Sequence, residues 1–354
     1  MNSLSKLRSA MKDKELDAVL VLDELNQRYL SNFAFTDGYL LITHSQAYLV
    51  TDFRYYEMAE KRSDKNFEIV MPDNRMGFLD EKVAELSLRR IGFEGGTVSF
   101  AAYNRYRERL LAVELVNIGS MIEELRQIKT ADEIRLMQRA QDITDLAFSH
   151  ILSVINSNMT EIDVAVELEY AMRKNGADGF AFDTIAVSGD ASALPHGTPR
   201  AEKLRRGFLT MDFGAKFDGY CSDMTRTIVI GKADDDMKKL YNTVLRAQTE
   251  SLAYLRAGAD LGATDKVARG IIDVEYNGCF GHSLGHSVGL FIHEAPGLSK
   301  LYNGRQARVG EIFTVEPGIY VYGKYGCRIE DMVAITEGGV HNFTKSDKNL
   351  IEIY

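Results

Sequence analysis

The stretch MDFGAKFDGYCSDMTR, residues 211–226, sets two aspartates, Asp212 and Asp223, on either side of a turn, each beside residues that favour burial. A buried carboxylate is costly unless it is paired, so this placement asks for a counter-charge. A matching segment lies further along the chain. FLTMDFG at 208–214 aligns with IFTVEPG at 312–318, so that Thr210 matches Thr314, Asp212 matches Glu316 and Gly214 matches Gly318. Each segment is followed by a second one. GYCSDMT carries Asp223 four residues after Gly219, and GCRIEDMV carries Glu330 four residues after Gly326. The same device therefore occurs twice, with turns that differ by three residues.

The midpoint between Asp212 and Asp223 falls inside KFDG, and that between Glu316 and Glu330 falls at Gly323. Each half is therefore expected to form a β-hairpin with its two acids directly opposed. Opposed residues point to one face with Cβ atoms about 4.5–5.5 Å apart. Two such carboxylates among Leu209, Met211, Phe213 and Ile228 repel unless a cation lies between them. Two pairs facing each other fit a site for two metal ions about 3.5–4 Å apart. A single acid in a strand is ordinarily exposed or ion-paired; four acids at matched offsets are not explained that way.

The 354 residues suffice for two domains, and 45% hydrophobic with 26% charged residues is an ordinary soluble composition. The net charge of −9 argues against nucleic acid or an anionic membrane as the main partner. The N-terminus lacks the apolar core of a secretory signal, and no apolar run is long enough to span a bilayer. Cys221, Cys279 and Cys327 make neither a metal-type pair nor an even-numbered disulfide framework, which points to a reducing cytoplasm.

Residues 1–125 alternate short apolar runs (DAVLVLD, YLLIT, AYLVTD, FEIVMP) with helical patterns, as in a small α/β domain. A second domain is expected over 126–354. Thr130 with Glu133, and Thr160 with Asp163, read as capping boxes opening two helices, the second stopped at Gly176. Two further helices are expected near 236–256 and 262–275. The acidic KADDDMK segment lacks the glycine and terminal glutamate of a calcium loop and reads as a solvated helix start.

Three of the seven histidines, His282, His286 and His293, lie in GHSLGHSVGLFIHEAPG. An imidazole beside four carboxylates would complete a dinuclear site. The HxxxH spacing suits one helix face, but the glycines of this block argue against a helix and leave a hydrogen-bonded loop as the plainer reading. His196 lies in the turn-rich SGDASALPHGTPR; His44 and His150 receive no role.

Taken together, DFG…CSDMTRT, GHSLGHSVGLFIHEAP, TVEPGIY, GCRIEDM and SGDASALPHG resemble the pita-bread metallopeptidases, in the branch of aminopeptidase P and Xaa-Pro dipeptidase (prolidase). The resemblance implies a creatinase-like α/β N-terminal domain. With it comes an α+β pita-bread catalytic domain with a pseudo-two-fold internal repeat. It implies metal ligands at Asp212, Asp223, His286, Glu316 and Glu330, with Asp223 and Glu330 bridging two ions. His196 and His293 are then substrate-binding and proton-handling residues, and Glu316 passes protons. The implied reaction is hydrolysis of the Xaa-Pro bond, in dipeptides or at the start of longer peptides, by a hydroxide bridging the metals. The implied assembly is a homodimer. An oxygen-rich ligand set suits Mn²⁺ first, and Co²⁺ or Zn²⁺ after it.

Arg328 shares a strand face with Glu330 and is expected to pair with it and orient it, or else to contact substrate. Tyr320 and His282 are placed with it as substrate-binding or supporting residues. Cys221 reads as a small buried hydrophobe. Methionine aminopeptidase shares the five ligands but usually lacks the N-terminal domain. A metal-free creatinase-like amidinohydrolase and a non-catalytic binding module are two further uses of the same fold; the intact ligand set argues against both.

Overall fold

The computed structural model describes residues 2–354, which divide into two compact units, one ending at Arg126 and the other covering Gln127–Tyr354. The first unit is built on six strands: β1 (Ala18–Val21), β2 (Tyr39–Thr43), β3 (Ala47–Val50), β4 (Glu68–Val70), β5 (Arg90–Phe93) and β6 (Glu114–Asn117). Their order in the sheet is β4-β3-β2-β1-β5-β6. The hairpins β1–β2 and β2–β3 are antiparallel, and the pairings of β3 with β4, β1 with β5 and β5 with β6 are parallel. The central strands β1–β3 are buried along their whole length. That is why they read as continuous apolar runs rather than alternating ones.

The second unit opens with the helices Ala131–Val154 and Glu161–Lys174, each begun by the expected capping box. Strands β7 (Gly179–Phe180), β8 (Ile185–Ser188), β9 (Gly207–Phe213), β10 (Ala215–Phe217), β11 (Tyr220–Cys221) and β12 (Met224–Ile230) follow. The second half repeats the plan. Helices Asp235–Tyr254 and Leu261–Tyr276 precede β13 (Gly285–Ser287), β14 (Glu294–Leu298), β15 (Ile312–Val315), β16 (Gly318–Val321), β17 (Tyr325–Arg328) and β18 (Asp331–Thr336). Strands β19 (Gly339–Asn342) and β20 (Glu352–Ile353) complete the chain.

Each half has its own core. Leu209, Met211, Phe213 and Ile228 pack with the first helix pair, and Phe313, Val315 and Val333 pack with the second. A strand alternates its faces, so burying these residues turns Thr210 and Asp212, and Thr314 and Glu316, to the other side. The acids are thus aimed by the hydrophobic pattern that builds the core.

The registers of the two hairpins differ. In the second, Val315 pairs with Asp331 and Gly318 with Arg328, so Glu316 and Glu330 stand directly across from one another, as expected. In the first, Asp212 pairs with Thr225. Asp223 then falls across from Gly214, two residues out of opposition, which corrects the symmetric placement expected from the sequence. The cause is the turn. Phe217 pairs with Tyr220 around Asp218 and Gly219, whose φ angles of 43° and 75° are those of a two-residue type I′ turn. Turn type sets register, and an Asp-Gly turn at 218–219 moves the axis of the hairpin one residue past the arithmetic midpoint. A shift of two between partners keeps Asp223 on the same face as Asp212.

Candidate metal centre

Asp212, Asp223, His286, Glu316 and Glu330 converge on one cavity of about 810 Å³, whose wall also contains His196, His282, His293 and Arg328. Tyr320 is not in that wall. It stands behind it, with its hydroxyl 2.7 Å from Arg328 Nη1 and 3.0 Å from His282 Nε2.

Ligand-type atoms of Asp223, His286 and Glu330 lie within 4.8 Å of one another. His286 Nε2 is 3.5 Å from both Asp223 Oδ2 and Glu316 Oε1. Its Nδ1 faces the Ser287 carbonyl at 3.1 Å. A carbonyl only accepts, so Nδ1 carries the proton and Nε2 presents a lone pair to the carboxylates. Burial lowers the His286 pKa to about 4, so the ring is neutral and able to ligate. The loop GHSLGHS is irregular before β13, as the glycines suggested. Gly285 is obligatory there, because a Cβ would lie 1.9 Å from the Thr314 carbonyl oxygen.

The carboxylates resist ionisation in the absence of a cation. Burial, then the charges of Glu330, Asp212 and Glu316, push Asp223 well above the ordinary range. Burial, then Glu316 and Asp212, do the same to Glu330. Burial raises Glu316 to about 8, with Asp212 adding and Arg328 opposing. The second oxygen of Asp212, Oδ1, is buried without a hydrogen-bond partner. Clustered acids, an orphaned carboxylate oxygen and a neutral imidazole lone pair fit a divalent-cation site: the missing ingredient is positive charge.

Arg328 supplies part of it, but not where expected. Its Nη2 pairs with Asp212 Oδ2 at 2.7 Å rather than with Glu330. Strand β17 lies against the first hairpin, where Arg328 N–H donates to Thr227 Oγ1 at 3.2 Å, and this turns the guanidinium toward Asp212. Arg328 reaches Glu330 only through an intermediary. Nε donates to Thr225 Oγ1 at 3.0 Å, and that hydroxyl donates to Glu330 Oε2 at 2.7 Å. Arg328 Nη1 donates to the Tyr320 oxygen, Tyr320 donates to His282 Nε2, and His282 Nδ1–H donates to the Ser283 carbonyl at 2.9 Å. This chain of donors requires a neutral His282, which burial and the charge of Arg328 provide by lowering its pKa to about 4.

Three supporting residues escaped the sequence reading. Thr225 orients Glu330, and Thr314 donates to Glu316 Oε1 at 3.2 Å while accepting from His286 N–H at 3.0 Å. Thr314 was visible in the repeat, but its counterpart Thr210 bonds Thr227 and no acid. Arg226 is 1% exposed, and all its donors are used. Nη1 donates to the carbonyls of Thr225 (2.9 Å) and Glu330 (2.5 Å), Nη2 to Asp331 Oδ1 (2.8 Å) and the Ser346 carbonyl (2.9 Å), and Nε to the Asp347 carbonyl (3.1 Å). Asp331 also accepts from Gln248, Asn342 and Lys348. Cys221 is buried, as expected of a small hydrophobe.

The chain matches two family descriptions, metallopeptidase family M24 over residues 135–337 and the creatinase/prolidase N-terminal domain over residues 4–128. It is 36% identical to a protein named Xaa-Pro dipeptidase from Pyrococcus furiosus, over 98% of this chain and 99% of that one. Among solved structures it is similar to an Xaa-Pro dipeptidase from Bacillus anthracis, with 41% identity, a TM-score of 0.94 and 99% of both chains covered. It is also similar to an X-Pro aminopeptidase from Thermotoga maritima, with 35% identity, a TM-score of 0.91 and 96% and 98% of the two chains covered.

Proposed function

This chain belongs to metallopeptidase family M24 and carries the creatinase/prolidase N-terminal domain, and from that membership we propose its substrate and the roles of its site residues. It is a metal-dependent exopeptidase that hydrolyses the Xaa-Pro bond next to a free amino terminus. The observation that carries this reading is the cavity that gathers five ligand-type side chains and three further histidines.

Asp212, Asp223, His286, Glu316 and Glu330 hold two divalent ions, with Mn²⁺ favoured by four carboxylates and one imidazole. The ions supply Lewis acidity, for an acidified water near neutral pH and a polarised scissile carbonyl. Glu316, whose carboxylate the cations keep ionised, takes the proton of the attacking water and delivers it to the departing proline nitrogen. Burial, then His196, lower the pKa of His293, so its ring is neutral near pH 7 and donates an N–H to the oxygen that gains charge in the transition state. His196 contacts the residue after the cleaved bond. Arg328 holds Asp212 Oδ2, which leaves Oδ1 for a cation. The three free cysteines fit a reducing compartment, and the proposed assembly is a homodimer.

A paired assay tests the reading. The chelator-treated protein, reloaded with Mn²⁺, is given Ala-Pro and Ala-Pro-Ala. Cleavage of the tripeptide with little of the dipeptide makes it an aminopeptidase P, and the reverse makes it a prolidase. Bound metal with neither peptide cut sinks the proline assignment. A chain that binds no metal and cuts neither peptide sinks the metal centre and favours a metal-free amidinohydrolase.

A further inference from the structure

The cavity wall around His196 is held by a device outside the ligand set. Five successive residues, Pro195, His196, Gly197, Thr198 and Pro199, line the cavity. Their loop leaves β8 at Ser188 and ends at Arg200, and both ends close on one carboxylate, Glu161. That side chain is fully buried at the first position of helix Glu161–Lys174. Oε1 accepts from Ser188 N–H at 2.7 Å, the Ser188 hydroxyl at 2.9 Å and Arg200 Nη2 at 2.7 Å. Oε2 accepts from Arg200 N–H at 3.0 Å and Arg200 Nε at 2.8 Å.

The helix does not need this arrangement. Thr160 and Asp163 already cap it, and an exposed acid would serve its N-terminal dipole as well. Burying a carboxylate is costly unless its lone pairs are filled, and here they are filled almost entirely by the loop. The helix start is in turn committed to the loop: Glu161 N–H donates to the Glu202 carbonyl and Ile162 N–H to the Arg200 carbonyl, each at 3.2 Å. Between its ends the loop touches the site, through Arg328 Nη1 on the Pro195 carbonyl at 3.3 Å. It is packed tightly as well, since a Cβ on Gly197 would lie 2.8 Å from Val187.

We propose that Glu161, with Arg200, is a positioning residue for substrate: by gathering both ends of the loop it sets where the Pro195–Pro199 wall and His196 stand relative to the carboxylate cluster. It acts on binding and not on the metals. The inference rests on the reading of His196 as a contact to the substrate.

Arg200→Met, Arg200→Lys and Glu161→Gln are compared with the metal-loaded wild type on whichever peptide the paired assay selects. KM, kcat, bound metal and amide hydrogen exchange are recorded. Arg200→Lys keeps a cation beside the buried Glu161 carboxylate, so it reports on the clamp even where Arg200→Met or Glu161→Gln costs the fold. Arg200→Met is expected to raise KM about tenfold, with kcat and metal content within about twofold, and Arg200→Lys to recover part of the loss. Exchange quickens in 189–200 and at the Ser188, Glu161 and Ile162 amides tied to that loop, and not elsewhere. In a His196→Ala background the same substitution adds less than about twofold, because both act through one contact. An unchanged KM, an undiminished effect in the His196→Ala background, or parallel loss of kcat and metal overturns the proposal. A wild type that cuts no Xaa-Pro peptide sinks the substrate reading instead. Exchange then judges the clamp alone, and unchanged protection of 189–200 in Arg200→Met removes it.

Discussion

The two acid-bearing hairpins share a sequence pattern but support their carboxylates differently. Glu316 and Glu330 are directly opposed, and each accepts a threonine hydroxyl, from Thr314 and Thr225 respectively. Asp212 and Asp223 are offset by two residues, and Asp212 is held by Arg328 from the other hairpin. The repeat therefore copies the acids but not their supports. Thr225 of the first hairpin serves Glu330 of the second, and Arg328 of the second serves Asp212 of the first. Cross-bracing of this kind makes the halves interdependent, since displacement of either hairpin disturbs carboxylates on both.

The largest expected effect tests whether the halves contribute equally. Asp223→Asn in one hairpin and Glu330→Gln in the other should each lower kcat/KM by at least about 1,000-fold and reduce bound metal. Retention of full activity in either variant breaks the equivalence and the dinuclear mechanism with it. An intermediate effect sharpens the threonine comparison. Thr225→Val should weaken metal binding about tenfold, as loss of a ligand's hydrogen-bonding partner commonly does. Thr314→Val, whose bond is longer at 3.2 Å, should cost about threefold. Equal losses in a metal titration would show that the two supports are equivalent after all.

The smallest effect concerns the cluster with and without its cations. Glu316 in the folded chain is raised to about 8 from 4.5, and Asp223 and Glu330 are raised in the same direction. Raised pKa values mean that the folded state holds protons which the unfolded state releases. Their contribution is present below the ordinary carboxylate range and is lost as pH rises through about 8. The chelated protein should therefore lose at least about 4 °C in Tm between pH 5 and 8. The loaded protein, whose cations favour the charged carboxylates, should not. Parallel Tm profiles for the two forms contradict this.

The gathered acids were legible because each sits in a local pattern. Asp212 follows an alternating apolar strand, Thr130 and Thr160 announce their helices, and the second hairpin's register follows from its own midpoint. The first hairpin was misplaced because symmetry with the second outweighed Asp218-Gly219, a turn that sets its own register whatever lies at the strand ends. The partner of Arg328 was illegible for a different reason. Its carboxylate lies 116 positions away, and strand periodicity says which face a side chain takes but not which hairpin it meets. Glu161 was hidden likewise: at a helix start an acid is ordinarily a dipole partner, and only tertiary structure brings Ser188 and Arg200 to it.

Arg226 ties a distant stretch of chain to the carboxylate cluster. Three of its hydrogen bonds hold Thr225, Glu330 and Asp331, and the other two end on the carbonyls of Ser346 and Asp347. Residues 346 and 347 are therefore part of the brace behind Glu330, although neither reaches the cavity. Loosening them would leave a buried guanidinium with two unpaired protons beside the acids. A chain cut back to before Ser346 would keep every proposed ligand and yet hold the cluster less firmly.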